Sequence, residues 1–206
     1  MSTNQTTQQV PGYESVQLDR PIWERFPIIA PLVLVSTTEP DGSADVAPKH
    51  LAMPVSWDNW FGFVCHPKHG TLKNALRTGV FTVGYPSPEM VLETSASAAP
   101  RQPDGSKPTL DMLHLLPATV VDGFLVDGCR LHLECELHDT VEGMGANVLV
   151  LGRVVAVHAS SRLIRRIDRD EHDALRACPL LAYVHPGRVA TIDETTAFPY
   201  HLTYKR

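Results

Sequence analysis

The chain has 206 residues, room for one large domain or two very small ones, and a chain of this length holds a core without disulfides or metals. Hydrophobic residues at 43% and charged residues at 20% exclude a disordered chain. Lys+Arg 18 against Asp+Glu 23 gives a formal net charge of -5, the opposite of the balance needed on duplex phosphate, so no nucleic-acid partner is expected.

Met1 to Gly12 is polar and lacks an apolar centre, so no signal peptide is expected there. Residues 1–20 show no structural period and read as a flexible N-terminal arm ahead of a single domain over 21–206. Pro27 to Thr38 is a β-branched run closed by the turn residues Glu39-Pro40-Asp41-Gly42, and Ser43 to His50 returns beside it as a hairpin. Asn59 to Cys65 is an aromatic strand. Leu72, Ala75 and Leu76 then mark a short helix, with Thr71 as its N-cap and Gly79 as its stop.

Val80 to Tyr85 resumes the extended pattern, and Pro86-Ser87-Pro88 opens a second helix with Ser87 as cap. Residues 99–108 form a loop long enough to be functional or mobile. Leu131, Leu133, Cys135 and Leu137 alternate with His132, Glu134, Glu136 and His138 in a half-buried strand. Residues 139–146 connect it to a second long strand, Asn147 to His158. Seven or so strands with few helices give a mainly β, barrel-like fold with a few short peripheral helices.

The histidine and glutamate alternation reads as a solvated or intersubunit strand face, because next-nearest residues on a strand lie about 6.6 Å apart and chelate one ion poorly. Asp168 to Asp173 reads as a charged helix start, and no metal is assigned. Cys65, Cys129, Cys135 and Cys178 form no C-x-x-C pair, so reduced thiols are expected. No run of about 18 apolar residues occurs, so no membrane span is expected and the compartment is read as cytoplasmic.

His66-Pro-Lys-His-Gly-Thr71 runs from a strand end into a helix N-terminus, where free N–H groups and the dipole favour an anion. Lys68 adds charge, Thr71 a hydroxyl, and Gly70 close backbone approach. Asp45-Val-Ala-Pro-Lys-His50 offers extended backbone and a cation. The succession Pro31–Thr38, Asp41-Gly42, Asp45–His50, Lys68–Asn74, Thr78–Val83, Leu131–Leu137, Leu149–His158 and Pro179–Arg188 resembles the flavin reductase-like family.

The resemblance implies an FMN-binding split β-barrel, usually a homodimer with FMN near the subunit interface. It also implies NAD(P)H as co-substrate and, for two-component members, a partner oxygenase. The family's first loop, Asn-x-Ala-Pro-x-Ser, maps onto Asp45, Val46, Ala47, Pro48, Lys49 and His50. Its phosphate motif, Arg/Lys-Asp-Thr-x-x-Asn, maps onto His69 (with Lys68 beside it), Gly70, Thr71 and Asn74, while His185 and Arg188 fall in the flavin-proximal C-terminal segment. Asp45 replaces the Asn, His50 the Ser and Gly70 the Asp; an ionised Asp45 cannot donate. Asn147 stands where two-component reductases often carry a nicotinamide-binding His. Three functions follow: NAD(P)H-dependent flavin reduction; an FMN-dependent reductase or oxidase for another small organic substrate, with residues 99–108 and Trp57/Trp60 shaping its pocket; or an FMN-binding protein without reductase activity.

Overall fold

The computed structural model describes residues 10–164 and 171–199. Its strands in chain order are β1 (Ile29–Pro31), β2 (Val33–Thr38), β3 (Ala44–Lys49), β4 (Ala52–Pro54), β5 (Trp60–Cys65), β6 (Val80–Tyr85), β7 (Leu115–Pro117), β8 (Phe124–Val126), β9 (Leu131–Met144), β10 (Asn147–Ala159), β11 (Leu180–Val184) and β12 (Arg188–Ile192). The helices are short: α1 (Gly70–Thr78), α2 (Val91–Ala96) and α3 (Glu171–Ala177), with 3-10 turns at Pro88–Met90 and Pro108–Met112. Seven strands form one antiparallel sheet in the order β3-β2-β6-β9-β10-β5-β4. Beside it lie a three-stranded sheet, β1-β11-β12, and the β7-β8 pair. This is the mainly β, barrel-like fold with short peripheral helices expected from the strand pattern, in the split-barrel form that the resemblance implies.

The large sheet is covered on both sides, and β2 shows why its sequence does not alternate. Val33 and Val35 enter a core with Phe61, Phe63, Phe81, Val83, Cys135 and Val150. Leu34, between them, points the other way and packs with Val46, Leu113 and Val126. A strand buried on both faces reads as a continuous apolar run. Phe63 and Phe81 meet edge-to-face with centroids 5.2 Å apart, the arrangement favoured by aromatic quadrupoles. Gly152 makes room for this pair, since a Cβ there would lie 2.4 Å from Phe81 Cζ.

Three expectations change. Pro27–Thr38 is not one strand: β1 pairs with β11, whereas β2 pairs with β3 and β6. Pro31 has no N–H for a ladder bond, and the chain passes from one sheet to the other at Leu32. The connection at 139–146 is mostly strand, because β9 continues to Met144 and leaves Gly145 and Ala146 as the turn. Gly145, at φ 75°, takes the left-handed conformation that this tight reversal needs.

The alternating acidic face is not uniformly solvated either. Glu134 is fully buried, and both its oxygens accept hydrogen bonds from the 119–121 backbone, the Thr119 hydroxyl and the His158 ring. Of the charged helix start, Asp168 to Asp170 lie outside the described residues. Glu171 begins α3.

Candidate functional site

Helix α1 forms because Leu72 and Ala75 bury one face, and Gly79 at φ 73° ends it with its N–H on the Ala75 carbonyl. Its N-cap is His69 in extended conformation, and no side chain caps the first turn. Thr71 therefore is not the cap; it lies inside the helix, buried, and its hydroxyl donates to Asp45 Oδ2 at 3.3 Å. Ahead of the helix, His66 Nδ1 accepts the Lys68 N–H at 3.1 Å, which shapes the turn feeding it. The first turn of α1 is tied to β3 through this Thr71–Asp45 bond.

The two sequence segments meet there. Asp45, Ala47, Pro48 and Lys49 line one wall of a cleft of about 490 Å³, and Lys68, His69, Gly70 and Thr71 line the opposite wall. This size is ordinary for a cofactor pocket. A third wall comes from residues 97–101 and Lys107, so the 99–108 loop is part of the site. Arg101 Nη2 lies 3.1 Å from Asp45 Oδ1 and 2.8 Å from Glu39 Oε1. Lys107 Nζ lies 3.4 Å from Asp45 Oδ1 and donates to the Val46 carbonyl at 2.8 Å. Burial lowers the pKa of Lys107, and the neighbouring Asp45 carboxylate works against that shift.

Lys49 is different. It is 9% exposed, and it forms no ion pair with a described carboxylate. Its ammonium neighbours the buried Cys65 thiol, whose pKa is pushed up by burial against the opposing effects of Lys49 and the Leu72 N–H. His69 Nδ1 lies 3.9 Å from Cys65 Sγ, and burial followed by the Lys49 charge lowers the His69 pKa. A largely buried cation with no direct ion pair among the described residues, in the same cleft as an uncapped helix N-terminus, is an arrangement suited to an anion.

Other sequence candidates fall elsewhere. Val46 points into the second core cluster. Asn74 is buried and donates to Thr37 Oγ1 at 3.3 Å, tying α1 to β2. His50 stacks on Tyr183 at 4.5 Å and meets His185 edge-on at 4.6 Å, forming a separate aromatic group between the two larger sheets. Burial lowers the His50 pKa first, with His185 and Lys49 adding to it. Arg188 is exposed at the start of β12. Trp57 is 97% exposed and Trp60 packs edge-on against His138, so neither lines the cleft. Asn147 opens β10, one step beyond the Val148–Cys65 pair.

Sequence reading missed Arg101 and Lys107, and with them Glu39. Their signal was faint: two cations in a loop already long enough to suggest a role, with nothing local to link them to Asp45.

The flavin reductase like domain matches residues 25–185. An uncharacterized protein from Methanothermobacter thermautotrophicus is 30% identical over 158 residues, covering 73% of each chain. Nitrilotriacetate monooxygenase component B from Bacillus cereus superposes with TM-score 0.72 at 22% identity, over 83% of this chain and 88% of that one. Flavoredoxin from Methanosarcina acetivorans gives TM-score 0.72 at 16% identity, over 93% and 96%. These two structures show a shared fold. The family match spans most of the chain, including both walls of the cleft and the strands that carry them, and the chain belongs to the flavin reductase-like family of flavin-linked oxidoreductases.

Proposed function

We propose that the chain binds FMN with its phosphate in the cleft at the start of α1, and that NAD(P)H reduces the flavin. Lys49 carries this reading: a nine-tenths buried cation with no carboxylate ion pair among the described residues shares the cleft with a helix N-terminus that no side chain caps. A phosphate monoester carries close to two negative charges and three acceptor oxygens, which suits both features. The Thr71 hydroxyl and Lys68 lie on the same wall. Bound FMN supplies the hydride-accepting ring, so no catalytic acid or base is required of the chain. The chain binds the phosphate, orients it through the β3–α1 junction, and keeps water from one side with residues 97–107.

Two further parts belong to the same proposal. The exposed apolar side chains of β4, β9 and β10 fit a homodimer, and the likeness to nitrilotriacetate monooxygenase component B fits a partner oxygenase that consumes reduced flavin. One observation favours a second reading. With Asn147 in place of the family histidine, an FMN enzyme acting on another small organic substrate drops the need for a nicotinamide contact there.

The test compares FMN with riboflavin, which lacks the phosphate. A charge-assisted hydrogen bond contributes about 1.5–3 kcal/mol, so Lys49→Met should weaken FMN about 10- to 150-fold and leave riboflavin nearly unchanged. Lys68→Ala should act in the same direction but less, because Lys68 is exposed. Equal losses for both flavins would place the phosphate elsewhere. Consumption of NADH or NADPH with added FMN then separates flavin reduction from the second reading, and from FMN binding without reductase activity.

A further inference from the structure

We infer that Asp45 is a built-in counter-anion, holding the strap residues Arg101 and Lys107 over the cleft and competing with an incoming phosphate for their charge. Asp45 thereby sets how strongly the cleft discriminates phosphorylated from unphosphorylated flavin. This inference rests on the flavin reading of the cleft.

The geometry is specific. Asp45 is 5% exposed and sits at the junction of all three walls. Its Oδ2 accepts from Thr71 in the first turn of α1, and its Oδ1 faces both strap cations. Among the described residues Lys107 has no other carboxylate partner, and it also donates to the Val46 carbonyl. Arg101 is braced by Glu39 and by the Gly105 carbonyl. Gly70 lies against both carboxylates: a Cβ there would crowd Glu39 Oε1 at 3.3 Å and make only an ordinary contact with Asp45 Oδ2 at 3.6 Å.

The charges add up around these contacts. Arg101 and Lys107 pair with Asp45, Arg101 also with Glu39, and Lys49 and Lys68 line the same cleft without such a pair; four cations against two carboxylates leave an excess close to the charge of one phosphate dianion. Asp45 steadies the empty cleft, because clustered cations repel one another and a buried lysine needs a counter-charge. With phosphate present, the same carboxylate becomes a like-charged neighbour a few ångströms away, where Coulomb terms are strong.

Asp45→Asn separates these roles. The amide oxygen still accepts from Arg101 and Lys107, and the Thr71 hydroxyl can turn to accept from the amide nitrogen. The strap keeps its anchor while the charge is lost. FMN affinity should rise at least tenfold, riboflavin affinity should stay within twofold, and the ligand-free variant should melt below the wild type. Unchanged or weaker FMN binding, or equal changes for both flavins, would make Asp45 a plain structural tie and overturn the inference. If that variant does not fold, Arg101→Gln decides: selective loss of FMN affinity supports the role of the strap cations, and equal affinity for both flavins overturns it. If the wild type binds neither flavin, the flavin reading falls on its own. Inorganic phosphate at matched ionic strength then reads Asp45 directly, since it should raise the melting temperature of Asp45→Asn more than that of the wild type, and an equal rise overturns the inference.

Discussion

Replacing Glu134 by Gln tests how the loop between β7 and β8 is fastened to the large sheet. Oε1 accepts from the Thr119 N–H at 2.9 Å, the Thr119 hydroxyl at 2.7 Å and His158 Nε2 at 2.7 Å. Oε2 accepts from the N–H groups of Val120 at 2.7 Å and Val121 at 2.9 Å. Burial by itself would raise the pKa of this carboxyl, but the backbone donors of Val121 and Thr119, the Thr119 hydroxyl and His158 outweigh it and bring the value from 4.5 to about 2. A depression of that size corresponds to about 3 kcal/mol of preference for the ionised form. Because the folded value lies below the unfolded one, this stability is present above about pH 4.5 and is lost as pH falls towards 2. Glutamine resembles the protonated acid in turning a donor towards donors. Glu134→Gln should therefore cost about 3 kcal/mol at pH 7, or roughly 6–12 °C in melting temperature for a chain of this size. Urea titrations of both proteins at pH 7 and pH 2.5 check this, with the gap expected to close at the lower pH. A loss under about 0.5 kcal/mol at pH 7, or a gap undiminished at pH 2.5, would show that the carboxylate charge does not hold the loop.

Gly152→Ala should destabilise the fold by about 1–3 kcal/mol, because its Cβ would sit 2.4 Å from Phe81 Cζ and 3.1 Å from the Glu136 carbonyl oxygen; denaturant unfolding measures the loss, and a neutral result would mean that the Phe81 ring moves freely. Sedimentation at micromolar concentration should show a dimer, since Met53, Trp57, Met144 and Val157 are all more than half exposed in the single chain. A species of only 22.7 kDa would refute it.

Much of the fold was legible in local pattern. The boundaries of β6 and the end of α1 at Gly79 follow from apolar spacing and from a glycine suited to φ 73°. The β2–β3 hairpin follows from its turn residues. One of the two segments that line the cleft was legible locally, because a cation, a glycine and a threonine before an apolar helix face carry a reason to gather an anion; Asp45 to His50 was joined to it only by the family resemblance. Other features needed the tertiary structure. Nothing local to Glu134 shows that a loop more than ten residues earlier turns three N–H groups onto it. The split of Pro27–Thr38 between two sheets depends on β11, about 150 residues later. Arg101 and Lys107 lie 56 and 62 positions after Asp45, and only the strap's return over β3 makes them one charge cluster. Periodicity and capping are interactions between near neighbours, so a sequence displays them. Pairing between distant charges depends on how the chain folds back, and on which counter-charge burial brings within reach.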